Sequence, residues 1–182
     1  MANWTLVEST LSDNLPMRIF VAELDGRIHA AAMHDDEHPR IEDEFLWRIG
    51  KDKWERRTAG SGPDALNAAV TQVLEYFAGR RRAFDLPLSL RGTPFQIRVW
   101  TELMRVPFGT TCSYGDLAAA IDHPKAFRAV GSANGRNNLP LFIPCHRVIA
   151  AAGKLGGFTG GIGLKKRLLA HEAAVLSKRS AA

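Results

Sequence analysis

The most chemically loaded stretch of the 182-residue chain is Ile143-Pro144-Cys145-His146-Arg147-Val148-Ile149, in which a thiol is followed by an imidazole and a guanidinium. A thiol attacks as its thiolate, and a free one ionises only near pH ~8.5, so a reactive cysteine needs a base or a positive charge beside it. His146 is the candidate base. Neighbours in an extended segment point to opposite faces, which argues against direct contact between the two side chains and for a bridging water. A base used in this way takes an orienting carboxylate. Residues 91–182 offer Glu102, Asp116, Asp122 and Glu172. Glu172 is best placed by type, beside His171 on a helical pattern of Leu164, Leu168, Leu169, Val175 and Leu176. Cys112, isolated from such partners, reads as a small buried apolar residue.

Downstream, Gly153 to Gly163 places six glycines in eleven positions, a loop whose backbone amides can approach a ligand closely. It has no Gly-Lys-Ser/Thr and no Gly-x-Gly-x-x-Gly between a strand and a helix, so a nucleotide cofactor is disfavoured. A flexible surface loop is the plain alternative.

Elements that could position these groups follow from pattern. Met17–Glu23 and Arg27–Met33 flank Leu24-Asp25-Gly26, a hairpin signal. The polar stretch Asp35-Asp36-Glu37-His38-Pro39 follows, and a helix is predicted from Pro63 to about Phe77 with Leu66, Val70, Val73 and Phe77 on one face. Phe84 to Gly92 reads as a linker or an edge strand, and the domain boundary falls there: residues 1–90 form an N-terminal α/β domain with its linker, 91–176 a second domain, and 177–182 a disordered tail. In the second domain a helix is predicted from Thr93-Pro94 through Met104, with Ile97, Trp100 and Met104 inward. Ser113 caps a short helix from Tyr114 to Ile121, and Pro124 opens another that ends at Asn134-Gly135. Two short helices joined by a tight turn make a helix-turn-helix, with Lys125 and Arg128 where a recognition helix meets nucleic acid. A pair of packed helices with incidental basic residues is the plain alternative.

Charge supports a polyanion partner. The chain carries 24 Lys+Arg and 19 Asp+Glu, yet residues 91–182 hold 13 basic against 4 acidic residues, a net of +9, while residues 1–90 come to −4. Each phosphate that such a surface neutralises releases counterions and adds affinity. With 46% apolar residues the chain can bury a core unaided, which excludes intrinsic disorder. Two cysteines exclude a disulfide scaffold, and the absence of a long apolar run excludes a membrane span. Met1-Ala2-Asn3-Trp4-Thr5 lacks the features of a signal peptide, so a cytoplasmic location is expected.

Taken together, these motifs resemble the O6-alkylguanine-DNA alkyltransferases. The resemblance rests on Pro144-Cys145-His146-Arg147-Val148, on Ser113-Tyr114-Gly115-Asp116-Leu117-Ala118, and on Pro124 to Gly131 with Asn137. Gly157-Phe158-Thr159-Gly160-Gly161 and Leu169-Ala170-His171-Glu172 complete it, in order, over about Thr93 to Leu176. It implies an α+β chain: an RNase H-like strand-and-helix domain of bacterial type, then a mostly helical domain with the helix-turn-helix. It also implies single-turnover DNA repair, in which the O6-alkyl group of a guanine turned out of the duplex passes irreversibly to Cys145. Use of O4-alkylthymine and the preferred alkyl size are left open.

By the same resemblance His146, through a water and oriented by Glu172, takes the thiol proton, and Asn137 braces the cysteine segment. Tyr114 donates to the guanine ring and presses on the adjacent phosphate. Pro140, Cys145 and Val148, with Phe158 and Thr159, line the pocket, and an amide at Thr159 faces O6. Arg128 fills the gap in the stack, and Lys125, Ser113, Tyr114, Ala129 and Asn134 join it on double-stranded DNA. Turning a base out costs a few kcal/mol and needs something in the hole, for which a planar guanidinium is suited. A helix-turn-helix ordinarily reads the major groove, whereas the family uses the minor groove. Phe158 departs from the tyrosine common in the family. No cysteine precedes Cys112, so the N-terminal zinc site of eukaryotic members is not expected, nor any other cofactor. A monomer in solution, cooperative or not on DNA, is expected.

Two other classes compete. A DNA-binding protein without chemistry, whether a regulator or an alkyltransferase-like lesion binder, would not need Cys145. A cysteine hydrolase usually draws its pair from separate segments, unlike Cys145 and His146.

Overall fold

The computed structural model describes residues 2–34, 41–50, 54–150 and 153–180. The polar stretch 35–39 and residues 181–182 of the expected tail lie outside them. The chain divides into two compact units, Met1–Ser89 and Leu90–Ala182.

In the first unit, β1 (Ala2–Thr10), β2 (Pro16–Leu24) and β3 (Arg27–His34) form an antiparallel meander, and β4 (Trp54–Arg56) adds to β1 in parallel, giving the order β3-β2-β1-β4. Asp25 and Gly26 turn the β2–β3 hairpin with φ of 53° and 75°, two successive positive angles of the kind that match strand twist. Alternation sends Trp4, Phe20, Ala22, Ala30 and Ala32 to one face, where α1 (Ile41–Ile49) contributes Phe45 and Leu46. The other face carries Val7, Ile19, Val21, Ala31 and Met33, all buried, and α2 (Asp64–Phe77) packs on β1, β2 and β3. Strands covered on both faces read as near-continuous apolar runs, as Ile19-Phe20-Val21-Ala22 does. α2 buries Leu66, Val70, Val73 and Phe77, and Pro63 caps it rather than opening it. The 84–89 segment runs along β3: Ile28 N–H donates to Pro87, and Ser89 N–H donates to Ile28.

The second unit is helical around a short parallel pair. α3 (Pro94–Leu103) starts with a reciprocal cap between Thr93 and Gln96, and α4 (Tyr114–Ala120) with one between Ser113 and Asp116. Trp100, buried in α3, donates its indole N–H to the Ala133 carbonyl at 2.9 Å and so ties α3 to α5 (Phe127–Gly135). β5 (Cys112–Ser113) pairs in parallel with β6 (Val148–Ile149), and α6 (Gly161–Ser180) closes the unit.

Four expectations need correction. Met104 is 39% exposed, and α3 turns Val99, Trp100 and Leu103 inward, because the helix ends at Leu103. α5 begins at Phe127, since Pro124-Lys125 forms a turn after Asp122 adopts a left-handed φ of 62°. Cys145–Arg147 is a single 3₁₀ turn rather than extended chain. Finally, α6 runs on to Ser180, so residues from Ser177 continue a helix where a tail was expected.

Candidate active site

The 3₁₀ turn places Cys145, His146 and Arg147 among the buried residues of the second unit. Its entry is fixed from upstream: the Asn137 amide donates to the Ile143 carbonyl at 2.9 Å, while its carbonyl oxygen accepts from Leu139 N–H, also at 2.9 Å. Between those anchors Leu141, fully buried, holds a φ of 76°, a strained angle for a branched residue that the surrounding bonds and packing impose.

Glu172 comes from the middle of α6 and meets the two residues that follow the cysteine, His146 and Arg147. His146 Nε2 lies 2.9 Å from Glu172 Oε1, and Arg147 donates to the same carboxylate through Nε (3.1 and 3.2 Å) and Nη2 (2.9 Å). Gly109 N–H supplies a further bond to Oε2 at 2.7 Å. Burial alone would raise the Glu172 pKa, but the hydrogen bonds and charges of His146 and Arg147 prevail and bring it down to about 2. The carboxylate is therefore an anion, which selects the His146 tautomer with its proton on Nε2. The other nitrogen, Nδ1, is buried with no hydrogen-bond partner. Burial, helped by the Arg147 and Lys165 charges, pulls the His146 pKa down against the pull of Glu172, so the imidazole is neutral and Nδ1 is a free acceptor.

Cys145 is 3% exposed and lies at the floor of a cavity of about 440 Å³. Burial pushes its thiol up to about 11, while the Asn137 side chain, the Lys165 charge and the backbone amides of Cys145 and His146 pull the other way. Tyr114, Gly131, Asn134, Gly135, Gly157, Phe158 and Thr159 complete the lining. The cavity thus lies between the start of α4, the inner face of α5 and the glycine-rich loop, which Thr159 ties to the end of α5 through the Gly135 carbonyl at 3.4 Å. Burial and the nearby Cys145 raise the Tyr114 pKa, so its hydroxyl remains a donor.

The expected site residues divide into three groups. His146 and Glu172 are joined by a direct bond, Asn137 holds the backbone that leads to Cys145, and Tyr114, Phe158 and Thr159 line the cavity with the cysteine. Pro140 and Val148 are buried and are not among the lining residues. Lys125, Arg128 and Ala129 are exposed around the start of α5, Ser113 caps α4, and Asn134 is 3% exposed on the cavity side of α5. Cys112, expected to be buried, is half-buried and lines a separate cavity of about 210 Å³.

The sequence analysis missed Lys165. Its ammonium is buried, donating to the Val148 carbonyl at 2.5 Å and the Gly156 carbonyl at 3.4 Å. It ties the glycine-rich loop to β6, and its positive charge pulls the Cys145 thiol down against the effect of burial. A signal existed, because Lys165 shares a helical stripe with Leu168 and Glu172 on the inward side of α6.

The chain is similar to proteins that are already known. Residues 94–174 match the family model of the 6-O-methylguanine DNA methyltransferase DNA-binding domain, and residues 18–90 match that of its ribonuclease-like domain. The methylated-DNA–protein-cysteine methyltransferase of Mycobacterium bovis is 53% identical over 110 residues, 60% of this chain and 67% of that relative. The constitutive enzyme of the same name from Bacillus subtilis is 57% identical over 95 residues, 52% of this chain and 58% of that relative. Among solved structures, the Mycobacterium tuberculosis OGT in complex with DNA matches 95% of this chain and 94% of its own, with a TM-score of 0.76 and 36% identity. The O6-methylguanine-DNA methyltransferase of Pyrococcus kodakaraensis KOD1 matches 93% and 98%, with a TM-score of 0.68 and 28% identity.

Proposed function

The chain belongs to the 6-O-methylguanine DNA methyltransferase family, whose reaction is DNA repair by alkyl transfer to a cysteine of the protein itself, and from that premise we propose that Cys145 is the acceptor. The observation that carries this reading is the line of groups behind the cavity floor: a buried sulfur, an imidazole whose Nδ1 is an unfilled acceptor, and an anionic carboxylate fixing the far nitrogen.

In the reading proposed here, the thiol proton passes to His146 Nδ1 through a bridging water. Glu172 stabilises the imidazolium that results, and the Lys165 charge favours the thiolate. The sulfur attacks the O6-alkyl carbon in line; the S–C bond forms as the C–O6 bond breaks, and the electron pair moves into the guanine. The Tyr114 hydroxyl, kept protonated, donates to the ring as that charge develops. The thioether left on Cys145 has no ionisable hydrogen and no labile bond, so the protein is spent after one transfer. Asn137 acts at one remove, by holding the chain that presents the sulfur.

The helical unit from residue 91 is read as the DNA-binding and reacting part, and residues 1–90 as a separate α/β domain. Lys125, Arg128 and Ala129 meet the duplex through an exposed face, and Arg128 fills the space left by the extruded nucleotide. Action as a monomer belongs to the same reading. Both cysteines are free, which suits a reducing, cytoplasmic setting. Among the described residues no helix is long and apolar enough to cross a membrane.

Intact mass after incubation with duplex DNA bearing O6-methylguanine is the decisive test. One methyl group per chain is expected, absent in Cys145→Ala while that variant still binds DNA. Repeated turnover would point to a hydrolase, and binding without transfer to a lesion binder.

A further inference from the structure

Phe127 is the first residue of α5 and is 48% exposed. Val130 and Asn134, three and seven positions on along the same helical face, are buried, whereas Phe127 at the head of that stripe stays half exposed. Its sequence neighbours Lys125, Arg128 and Ala129 are exposed as well. The Arg128 guanidinium sits over that ring, its Cζ 5.7 Å from the centroid. Among the described residues Arg128 has no carboxylate or carbonyl partner.

We propose that Phe127 is a positioning residue for nucleotide extrusion, holding the Arg128 guanidinium flat and ordered over its ring so that it is presented to the duplex ready to enter the stack. This rests on Arg128 as the residue that fills the gap. A free arginine samples many rotamers, and entering a base-pair gap requires one of them, so an ordered side chain enters sooner. An aromatic partner suits the task better than an acidic one. A carboxylate would order the guanidinium too, but it would compete with the DNA for its donors and repel the phosphates. A π face leaves all the N–H groups free, and its attraction for a cation strengthens as water is excluded.

The test compares transfer rates from duplex O6-methylguanine DNA and from free O6-benzylguanine, which needs no extrusion. Phe127→Ala should slow the duplex reaction about 5- to 10-fold, the range a partly desolvated cation–π contact covers, and leave the free-base rate unchanged. Phe127→Tyr should restore the duplex rate, and Phe127→Leu, apolar without a π face, should not. A 2-aminopurine stacked next to the lesion should brighten more slowly with Phe127→Ala, reporting extrusion itself. In the Arg128→Ala background Phe127→Ala should add nothing. Equal losses on both substrates, rescue by Phe127→Leu, or no duplex effect would overturn the proposal. If Arg128→Ala is duplex-selective and Phe127→Ala is not, this inference alone fails. If Arg128→Ala spares the duplex rate, the Arg128 role fails and this inference with it.

Discussion

Glu172 carries two duties through one carboxylate: it sets the His146 tautomer, and it neutralises the buried Arg147. The two can be separated by measurement. Glu172→Gln keeps the shape, but its amide can donate to the histidine, which favours the tautomer with Nδ1 protonated and removes the acceptor. Single-turnover transfer should fall by about 10²-fold or more, the scale of a lost general base. The same change leaves Arg147 buried against a neutral group, and the cost of breaking a buried pair, about 3–5 kcal/mol, should appear as a lower melting temperature. His146→Ala removes the base and spares the Arg147–Glu172 pair. It should slow transfer comparably with a smaller thermal penalty, and equal penalties in the two variants would show that Glu172 is not the structural partner of Arg147.

At the scale of elements, the cavity is bounded by the glycine-rich loop, and Gly156 shows why side chains are excluded there. A Cβ at 156 would stand 2.6 Å from the Tyr114 hydroxyl and 3.0 Å from its ring, so either the loop or the tyrosine must move. Gly156→Ala should therefore slow transfer of bulky alkyl groups such as benzyl more than methyl, which rate comparison on matched free bases would read. Gly109, at a φ of +75°, has a related constraint: a Cβ would run into Leu176 on α6, beside the amide that anchors Glu172. α3, α4 and the openings at Thr93 and Ser113 were legible in the sequence because caps, turns and apolar stripes are local signals. The unread regular elements were β1, α1, β4 and the short pair β5 and β6. β1 breaks its polar–apolar alternation at Leu6-Val7, and β4 is three residues long and pairs with β1. The 3₁₀ turn at Cys145 was equally illegible, since Asn137 imposes it from a distance through Leu139 and Ile143. Lys165 was hidden for another reason: its charge made an inward position look like a surface one.

For the whole molecule, two solution properties follow. The uneven charge, +9 beyond residue 90 and −4 before it, predicts DNA affinity that falls steeply with added salt; a flat titration would show that phosphate contacts do not dominate. Stability should have a plateau in pH. The folded pKa of His146 is depressed below its ordinary 6.5, so its contribution is complete above that value and declines as pH falls through it. Glu172, held at about 2 rather than 4.5, loses its contribution as pH drops from 4.5 towards 2, on the order of 3 kcal/mol at most. Cys145 has the opposite sign: with its pKa raised from 9.0 to about 11, its contribution is intact below 9 and is lost as pH climbs between those values. Melting temperature should therefore be flat from about pH 6.5 to 9 and fall on both sides. Both Cys145→Ala and the methylated protein should show a shallower alkaline fall, and an unchanged one would mean that the thiol is not the group responsible. The high thiol pKa has a consequence for the working life of the molecule as well. A reagent that acts once must survive storage, and with the thiol pushed up to about 11 by burial, the side chain stays protonated at neutral pH. Peroxide and stray electrophiles thus meet a capped sulfur in almost every copy, and the stock should age slowly until a damaged strand docks.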